Sequence, residues 1–520
     1  MKFVQNIKFA LVAFAVAFAA ISCITEESVP NKEREKVSLE AWIKLHKPEL
    51  LNNYQENGGY YVEILENDLN DQIVANGNDF GSEPIMDQDT CWVFMNMTGR
   101  DINGAVCLTR SYELAQMCGT FAYPTHYTSY VCYGGSNNMG LLEGTYLAMR
   151  NELKLSEEYT KWYAAKYGVE LESNYKLHKG SNVRLYLPST IAYAESGSAA
   201  EGGYEGQYAL DASRPLIVDI EITSAIKNPS DLELDMLRLY VGDNESWIQA
   251  KKPESEKTDE NDDLKLKGLY YNLSYNPESD NAADYKYMKP DCMDKADKLN
   301  QPYIDNKNYA PGKMATLNEQ INKILLERFG KGLSAEELKK DDTKVTKNGR
   351  AKVWYVLRFL DGFVLDTNIA EIRTLVFNEA APVCEVFSYS PSDDEGKEAS
   401  ERQAIGAWYY GIPEMHYGAY GQILTTSGYA YGASGMSGST TTETTSTGTA
   451  NYYNAMNYYN YYNSYYNYYS PYYNYYDYSY YNYNYNYDSA EEETTTTKTI
   501  STEILPYTPL IFTLYVEPYE

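Results

Sequence analysis

The residues of this chain whose types and spacing suggest chemistry are aromatic and lie close together. Residues 407–432 read A-W-Y-Y-G-I-P-E-M-H-Y-G-A-Y-G-Q-I-L-T-T-S-G-Y-A-Y-G, with Trp408 near the start and Tyr431 near the end. This order is typical of a short helix that supplies a buried aromatic floor, followed by a strand that ends in an aromatic flap. A pocket of this kind binds an apolar group through its walls and a few polar anchors, and it needs no nucleophile, metal ion or cofactor.

The spacing W-x-x-G-x-x-x-M-x-x-G from Trp408 onward, with the closing Y-A-Y-G, resembles the centre of FKBP-type peptidyl-prolyl isomerases. The match runs without a gap over residues 407–432. The resemblance implies rotation about the amide bond before proline, whose barrier is roughly 18–20 kcal/mol because rotation breaks amide resonance. A twisted amide has lost its resonance dipole, so an aromatic-walled pocket binds it better than the planar ground state, as catalysis requires. The implied partners are proline-containing polypeptides.

The same family resemblance extends over most of residues 264–520 once insertions are set aside. Val353-Trp354-Tyr355 is similar to the family's V-x-Y strand, which implies that Tyr355 lies in the pocket wall. Residues 361–366 are similar to D-G-x-x-F-D, with Leu365 in place of the usual Phe and Asp366 retaining the carboxylate. Phe387 matches an inward aromatic of the next strand.

Further residues are matched one by one in the same way. Ala404 and Ile405 match the family's V-I pair, whose second N–H donates to the substrate carbonyl, and the Tyr431 hydroxyl would reach the substrate amide. The resemblance thus implies a catalytic set of Tyr355, Asp366, Ile405, Trp408 and Tyr431, and a substrate-binding set of Leu365, Phe387, Ala404, Ile504 and Phe512. Since Leu365 and Ala404 both make the apolar wall smaller, a noncatalytic FKBP-like binding or adhesion protein is the alternative.

Landmarks recur in the same order in the two halves of the chain, which indicates two copies of one fold. Pro215-Leu216-Ile217-Val218 parallels Pro509-Leu510-Ile511-Phe512, and Ala192-Tyr193 parallels Ala430-Tyr431. The predicted class is α+β, with two FKBP-like domains in series, each a twisted antiparallel sheet that wraps a short helix. The predicted bounds are a tether at 24–37, a first domain at 38–227, a linker at 228–263 and a second domain at 264–520, with a helical insertion at 276–345 and a low-complexity insertion at 437–498.

The first copy departs from the family pattern at most pocket positions. Met97 stands where the wall Tyr is expected, Cys107 replaces the Phe, Leu108 replaces the Asp and Val218 replaces the final Phe. Leu141 would take the place of the Trp floor if Gly144 aligns with the helix glycine. Only Tyr193 of the flap remains, so this copy is predicted to be noncatalytic.

The first 23 residues have the pattern of an export signal. Lys2 and Lys8 precede an apolar stretch, residues 9–20, that is too short to span a bilayer, and Ala20-Ile21-Ser22-Cys23 resembles a bacterial lipobox. The resemblance implies cleavage before Cys23 and lipidation of its thiol, which would anchor the protein to a membrane of the cell envelope. An ordinary secretory signal with an unrelated Cys is the alternative.

Composition excludes several function classes. The formal net charge of -29 argues against binding to nucleic acid through a basic patch. The cysteines after Cys23 show no C-x-x-C or metal spacing, and the four histidines are not clustered, so we expect neither a metal ion nor another cofactor. A local Cys118–Cys132 disulfide is compatible with an oxidising compartment, but the pairing cannot be read from the sequence.

Tyrosine is concentrated in one segment. The chain has 56 Tyr against 13 Phe and 6 Trp, and residues 451–488 are dominated by Tyr and Asn. Residues 437–498 hold almost no aliphatic side chain and therefore cannot form a core of their own. One interpretation is a disordered low-complexity loop, and the other is an adhesive surface for glycans or proteins.

Overall fold

The computed structural model describes residues 31–65, 78–118, 126–133, 142–193, 210, 212–257, 264–278, 313–377, 386–447 and 493–519. The proposed lipidation site Cys23 and the Tyr/Asn-rich residues 451–488 lie outside the described residues, as do Leu141 and most of 276–312.

The first half of the chain forms a seven-stranded antiparallel sheet with helices around it. Its strands are β1 (Tyr54–Gln55), β2 (Tyr60–Ile64), β3 (Trp92–Asp101), β4 (Val106–Thr109), β5 (Tyr130–Tyr133), β8 (Asn182–Leu187) and β9 (Leu216–Ile226), and a separate pair is formed by β6 (Leu153–Lys154) and β7 (Asn174–Tyr175). Its helices are α1 (Asn31–His46), α2 (Tyr112–Met117), α3 (Glu143–Arg150) and α4 (Glu157–Tyr167).

The second half forms another seven-stranded antiparallel sheet. Its strands are β10 (Ile248–Lys251), β11 (Lys265–Asn272), β12 (Ala351–Phe359), β13 (Val364–Thr367), β14 (Phe387–Tyr389), β15 (Ala419–Thr425) and β18 (Leu510–Pro518), and a separate ribbon is formed by β16 (Ser439–Thr447) and β17 (Glu493–Ser501). Its helices are α5 (Pro229–Val241), α6 (Lys313–Phe329), α7 (Ala370–Phe377) and α8 (Gly406–Gly411).

The two sheets have the same strand order. The first runs β1-β2-β8-β9-β3-β4 with β5 also on β3, and the second runs β10-β11-β15-β18-β12-β13 with β14 also on β12. Even the irregularities coincide, because the register shifts between Gly99 and Arg100 opposite β4 and between Leu357 and Arg358 opposite β13. The predicted α+β class, with antiparallel sheets in both halves, is confirmed.

Alternating side chains explain how the long strands bury one face. In β3, Val93, Met95 and Met97 are buried whereas their neighbours are only partly covered. This period of two places every second side chain in the core. Burying an aliphatic side chain of this size contributes about 1.5–3 kcal/mol, so the strand pattern alone favours this face for the core.

A short helix crosses each sheet closely, and in the second half a glycine makes this approach possible. A Cβ added at Gly411, in α8, would lie 2.3 Å from Cδ1 of Ile423 in β15. Real Cβ atoms do not approach carbon so closely, so only glycine lets the helix lie this near the strand. Trp408, one turn earlier in α8, is thereby held against the sheet.

Several predicted boundaries differ from the structure. Helix α1 begins at Asn31, inside the predicted tether, and its Glu35 is buried. The predicted linker 228–263 is wrong over 229–251, because α5 buries Leu237 and β10 pairs with β11. Only the end of this stretch, residues 250–263, is strongly charged, whereas the apolar positions of α5 recur at helical spacing and pack on the sheet.

The structure also bears on the predicted disulfide and on membrane-spanning helices. In the part of the chain that the structure describes, Cys132 is a buried free thiol, so the local Cys118–Cys132 disulfide is not formed. No helix in the described part of the chain is long and apolar enough to cross a membrane.

The low-complexity insertion leaves and returns through a ribbon of two strands. Met436 and Ile504 form a β-bridge, and from there β16 and β17 pair in register from Ser439 with Ser501 to Thr447 with Glu493. Within the described residues this ribbon joins neither seven-stranded sheet. The ends of the insertion are therefore held together independently of the segment 448–492 between them.

We expect the fold to survive removal of that segment. Replacing residues 448–492 by Asn-Gly would join Thr447 to Glu493 through a two-residue turn that suits paired antiparallel strands. Each doubling of loop length costs only about 0.6 kcal/mol of closure entropy, so this shortening should raise the free energy of unfolding by about 3 kcal/mol at most. Urea denaturation followed by circular dichroism measures this. Loss of a cooperative transition would mean that the segment is structural.

Candidate functional site

The structure brings the predicted pocket residues of the second half into one apolar cluster. Its buried members include Leu365, Ala404, Trp408, Ile504 and Phe512, and Tyr355, Phe387, Ile405 and Tyr431 pack against it half-buried. These side chains come from four strands, a helix and the loops beside them, far apart in sequence. The remaining predicted residue, Asp366, is bonded to the cluster through Tyr355.

Trp408 is the centre of this arrangement. Its indole meets the rings of Tyr355, Phe387 and Phe512 edge to face, with centroids 5.4, 5.1 and 5.9 Å away. The indole is only 6% exposed, so it forms a floor with aromatic walls. Edge-to-face pairs contribute about 0.5–1.5 kcal/mol each beyond the burial of their area, which makes the floor rigid.

A carboxylate stands at the rim of the cluster. Asp366 accepts a hydrogen bond from the Tyr355 hydroxyl at 2.6 Å and another from Nη1 of Arg373 at 2.7 Å. Arg373 lies in α7, is largely buried, and also donates to the carbonyl of Thr367 at 2.9 Å. Arg373 was not predicted from the sequence as the partner of Asp366. Its position seven residues after Asp366, on the helix that follows the strand, was the available signal.

The charge of Asp366 acts on two tyrosines. Burial and, next, the Asp366 carboxylate raise the pKa of Tyr355 above its ordinary value, and the same two causes raise the pKa of Tyr431 to about 12. Both hydroxyls therefore keep their protons at neutral pH. The Tyr355 hydroxyl donates its hydrogen bond to Asp366, whereas the Tyr431 hydroxyl is a neutral donor at the cluster.

The segment that carries Ala404 and Ile405 is held by a second buried carboxylate. Asp394 accepts from the N–H of Gln403 at 2.8 Å, from the N–H of Ala404 at 3.1 Å and from the Tyr389 hydroxyl at 3.0 Å. Burial raises the pKa of Asp394, but these hydrogen bonds outweigh it and the pKa lies below its ordinary value. Asp394 was also missed from sequence, since its partners lie across a loop.

Ile405 is the N-cap residue of α8. Its carbonyl accepts from the N–H groups of Trp408 and Tyr409, both at 3.0 Å, and so takes part in the helix. The N–H of an N-cap residue precedes the first helical hydrogen bond and is not used by the helix. The Ile405 N–H thus lies beside the Trp408 floor as a donor that the helix does not consume.

Tyr431 lies at the end of a tight turn after β15. Residues Ser427–Tyr429 form a 3₁₀ turn, and the carbonyl of Ser427 accepts from the N–H groups of Ala430 and Gly432, both at 2.8 Å. These two hydrogen bonds lie on either side of Tyr431. The flap conformation is therefore fixed by backbone contacts at Ser427.

The first half has the same frame with different side chains. By sheet register, Met97 takes the position of Tyr355, Leu108 that of Asp366 and Val218 that of Phe512. Counted from the start of the helix, Thr145 rather than Leu141 corresponds to Trp408. The frame thus lacks the carboxylate and the aromatic floor.

A separate cavity of about 100 Å³ lies between the two sheets. A hydrogen bond of 2.6 Å between His126 Nε2 and Asp361 and an ion pair with 2.6 Å between Arg110 Nη2 and Glu503 border it. None of the ten predicted pocket residues lines it. The cavity and the cluster around Trp408 are therefore two separate places in the fold.

The cluster offers binding without bond cleavage. In the described part of the chain, no group of three or more His, Cys, Asp or Glu side chains is arranged to hold a metal ion. The polar groups at the cluster include the Tyr431 hydroxyl, the Ile405 N–H, the Asp366–Tyr355 pair and the Trp408 indole N–H, which is buried without a hydrogen-bond partner in the described residues. Such a site suits an apolar ring whose neighbouring amide accepts hydrogen bonds.

No protein-family model matches this chain, and a search of curated proteins returns no match. Solved structures to which the chain is similar are FKBP-type proteins. The three FKBP domains of wheat FKBP73 align over 89% of this chain and 96% of that one, at 10% identity and a TM-score of 0.19. FkpA from Escherichia coli aligns over 43% of this chain and 73% of its own, at 17% identity and a TM-score of 0.21. A peptidyl-prolyl isomerase from Pseudomonas syringae aligns over 38% of this chain and 98% of its own, at 15% identity and a TM-score of 0.21. Likenesses at these TM-scores carry no weight for the activity of this chain.

Proposed function

We propose that the second half of this protein is an FKBP-like peptidyl-prolyl cis–trans isomerase. The observation that carries the proposal is the aromatic box around Trp408, with the hydrogen-bonded Asp366–Tyr355 pair at its rim. This arrangement matches the residue types that the sequence pattern implied, and the structure adds Arg373 as the partner of Asp366.

The chemistry follows from the walls of the box. A proline ring packs on the Trp408 indole between Tyr355 and Phe512, and this removes the adjacent amide from water. The amide loses its resonance dipole as it twists, so the apolar surrounding favours the twisted form over the planar one. The Tyr431 hydroxyl and the Ile405 N–H hold the carbonyls on either side. Since each tenfold acceleration requires about 1.4 kcal/mol, a thousandfold acceleration requires about 4 kcal/mol of preferential binding.

A noncatalytic binding module is the second candidate, and a specific observation favours it. Leu365 and Ala404 are both buried in the cluster, where the family pattern implies larger side chains. Smaller walls leave more room around the ring and weaken the distinction between planar and twisted amides. Binding of proline segments would then persist without acceleration.

The first prediction for this site concerns the flap hydroxyl. Tyr431→Phe removes one hydrogen-bond donor and little else, so kcat/KM for a proline peptide should fall about threefold to tenfold, the value of one net hydrogen bond. The matched control is Tyr193→Phe, the same change in the flap of the first half, and it should leave the rate unchanged. A protease-coupled isomerisation assay on the full chain measures both.

Two results would favour the binding module instead. One is the absence of isomerisation in the unaltered protein while a proline peptide still binds. The other is an equal effect of Tyr431→Phe and Tyr193→Phe on the isomerisation rate. A change in the half that lacks the aromatic floor should not affect catalysis, so an equal effect would mean that the flap hydroxyl has no catalytic role.

We further propose that the protein is anchored in the cell envelope by lipid on Cys23, where it would assist the folding of exported proteins. The support is the apolar segment before Cys23 and the lipobox-like residues 20–23. Cys23→Ala should move the protein from the membrane fraction to the soluble fraction, because the acyl chains of the anchor supply the membrane affinity. Immunoblotting of the two fractions measures this, and unchanged membrane association would contradict the anchor.

The Tyr/Asn-rich segment is proposed as a contact surface for extended polypeptides, with glycans as the alternative ligand. Tyrosine gives a large contact area at modest entropic cost. The ribbon that carries the segment starts at the Met436–Ile504 bridge, and Ile504 belongs to the Trp408 cluster. The Asn-Gly replacement of 448–492 should therefore slow action on an unfolded protein substrate but not on a short peptide.

A further inference from the structure

A carboxylate of α5 is buried against the flap turn. Glu233 is 2% exposed, its Oε1 accepts from the N–H of Ser427 at 2.6 Å, and its Oε2 accepts from the Ser427 hydroxyl at 2.7 Å. Helix α5 and the flap turn are almost two hundred residues apart in sequence. The Glu233 side chain thus joins α5 to the 3₁₀ turn that precedes Tyr431.

The first half repeats this contact. Glu35 of α1 accepts from the N–H of Ser189 and, at 2.6 Å, from the Ser189 hydroxyl, and Ser189 begins the turn that leads to Tyr193. Both helices also share a spacing, Glu-x-x-x-Leu-x-x-x-Ile/Val, at Glu35, Leu39 and Ile43 and at Glu233, Leu237 and Val241. The Leu of each helix is buried in the core of its half. The helix and its carboxylate therefore belong to the duplicated unit.

In the second half, the two hydrogen bonds from Ser427 to Glu233 form a brace that is connected to Tyr431 through the backbone of the turn. Ser427 is held at its N–H and hydroxyl by Glu233, and its carbonyl accepts from Ala430 and Gly432. These last two residues flank Tyr431. A shift of Ser427 would move both hydrogen bonds and, with them, the tyrosine between them.

Burying a carboxylate costs free energy, so it is an unfavourable choice for a contact that only stabilises the fold. Burial raises the pKa of Glu233 to about 7, and the hydrogen bonds from Ser427 offset only part of this effect. Apolar side chains of similar volume are often equally or more stabilising at buried sites. What the carboxylate adds is two acceptors in a fixed geometry, which orient the N–H and hydroxyl of one residue together.

We propose that Glu233 is a positioning residue for the isomerase site, holding the Tyr431 flap through Ser427. This inference rests on the proposed function and deepens it. Glu233 does not touch the substrate. It sets where the Tyr431 hydroxyl lies relative to the Trp408 floor, whereas Glu35 braces the corresponding turn of a half that lacks that floor.

The test compares two matched losses of the brace in the full chain. Glu233→Ala should lower kcat about tenfold or less, the value of one misplaced hydrogen bond, with KM changed by less than about twofold. Glu35→Ala removes the same kind of contact in the other half and should leave kcat and KM unchanged. Glu233→Gln keeps an oxygen acceptor for the Ser427 N–H and should restore at least half of the lost kcat.

A second measurement does not depend on activity. Amide hydrogen exchange at Ala430 and Gly432 should be about tenfold faster in Glu233→Ala, while the amides of β18 exchange as before. Glu35→Ala should leave Ala430 and Gly432 unchanged. If Glu233→Ala does not fold, Ser427→Ala, which removes only the hydroxyl donor, replaces it with the same expectations.

The outcomes separate the two claims. An inactive wild-type protein would refute the proposed function, and faster exchange at Ala430 and Gly432 in Glu233→Ala would still support the brace. Unchanged exchange at these amides would overturn the brace whatever the activity. A loss of kcat that is equal in Glu35→Ala and Glu233→Ala would reduce Glu233 to a general contribution to stability and overturn its positioning role.

Discussion

The long antiparallel register between β12 and β18 is the constraint on which the second half depends. It pairs Tyr355 with Leu514 and Leu357 with Phe512 without interruption, so the wall ring and the closing ring face the same space. The irregular pairing of β12 with β13 then places Asp366 opposite Leu357, within reach of the Tyr355 hydroxyl. Trp408 fills the space between these rings from the helix that crosses the sheet. If β18 slipped by one residue against β12, Phe512 would point to the face opposite Tyr355 and the cluster would lose its closing ring.

The first half repeats this frame with different side chains. It has the same strand order and the same register shift, but Met97 and Leu108 stand in place of the tyrosine and the carboxylate. Thr145 takes the position of the tryptophan in the crossing helix. The duplicated sheet thus carries one polar and aromatic cluster and one apolar counterpart. The Arg110–Glu503 ion pair and the His126–Asp361 hydrogen bond join the two halves.

Much of the candidate site was predicted because residues 353–432 resemble the FKBP pattern. That resemblance, rather than periodicity, assigned Tyr355 to a wall strand, Trp408 to the floor and Tyr431 to the flap. Asp394 and Glu233 were missed for a common physical reason. Each carboxylate meets donors outside its own element, and a single sequence contains no sign of which donors these will be, whereas for Arg373 the spacing from Asp366 was a signal that was not used.

The linker prediction failed for a related reason. The predicted linker, residues 228–263, contains many charged side chains, yet its Leu237 and Ala250 are buried in the core of the second half. Helical and strand periods set which side chains face the core, and mean composition hides them. The same repeat logic that identified two sheets would have found this helix, since its Glu-x-x-x-Leu spacing recurs in α1.

The central claim is that a proline segment is held at the Trp408 floor by the Ile405 N–H. The most direct measurement is a titration of the isotope-labelled protein with a short proline peptide, following backbone amide shifts by nuclear magnetic resonance. We expect a saturable shift at Ile405 and none at Leu142, which is the N-cap residue of α3 as Ile405 is of α8. Neither amide should shift when alanine replaces the proline of the peptide. An unchanged Ile405 amide, or equal shifts with the proline and alanine peptides, would contradict it.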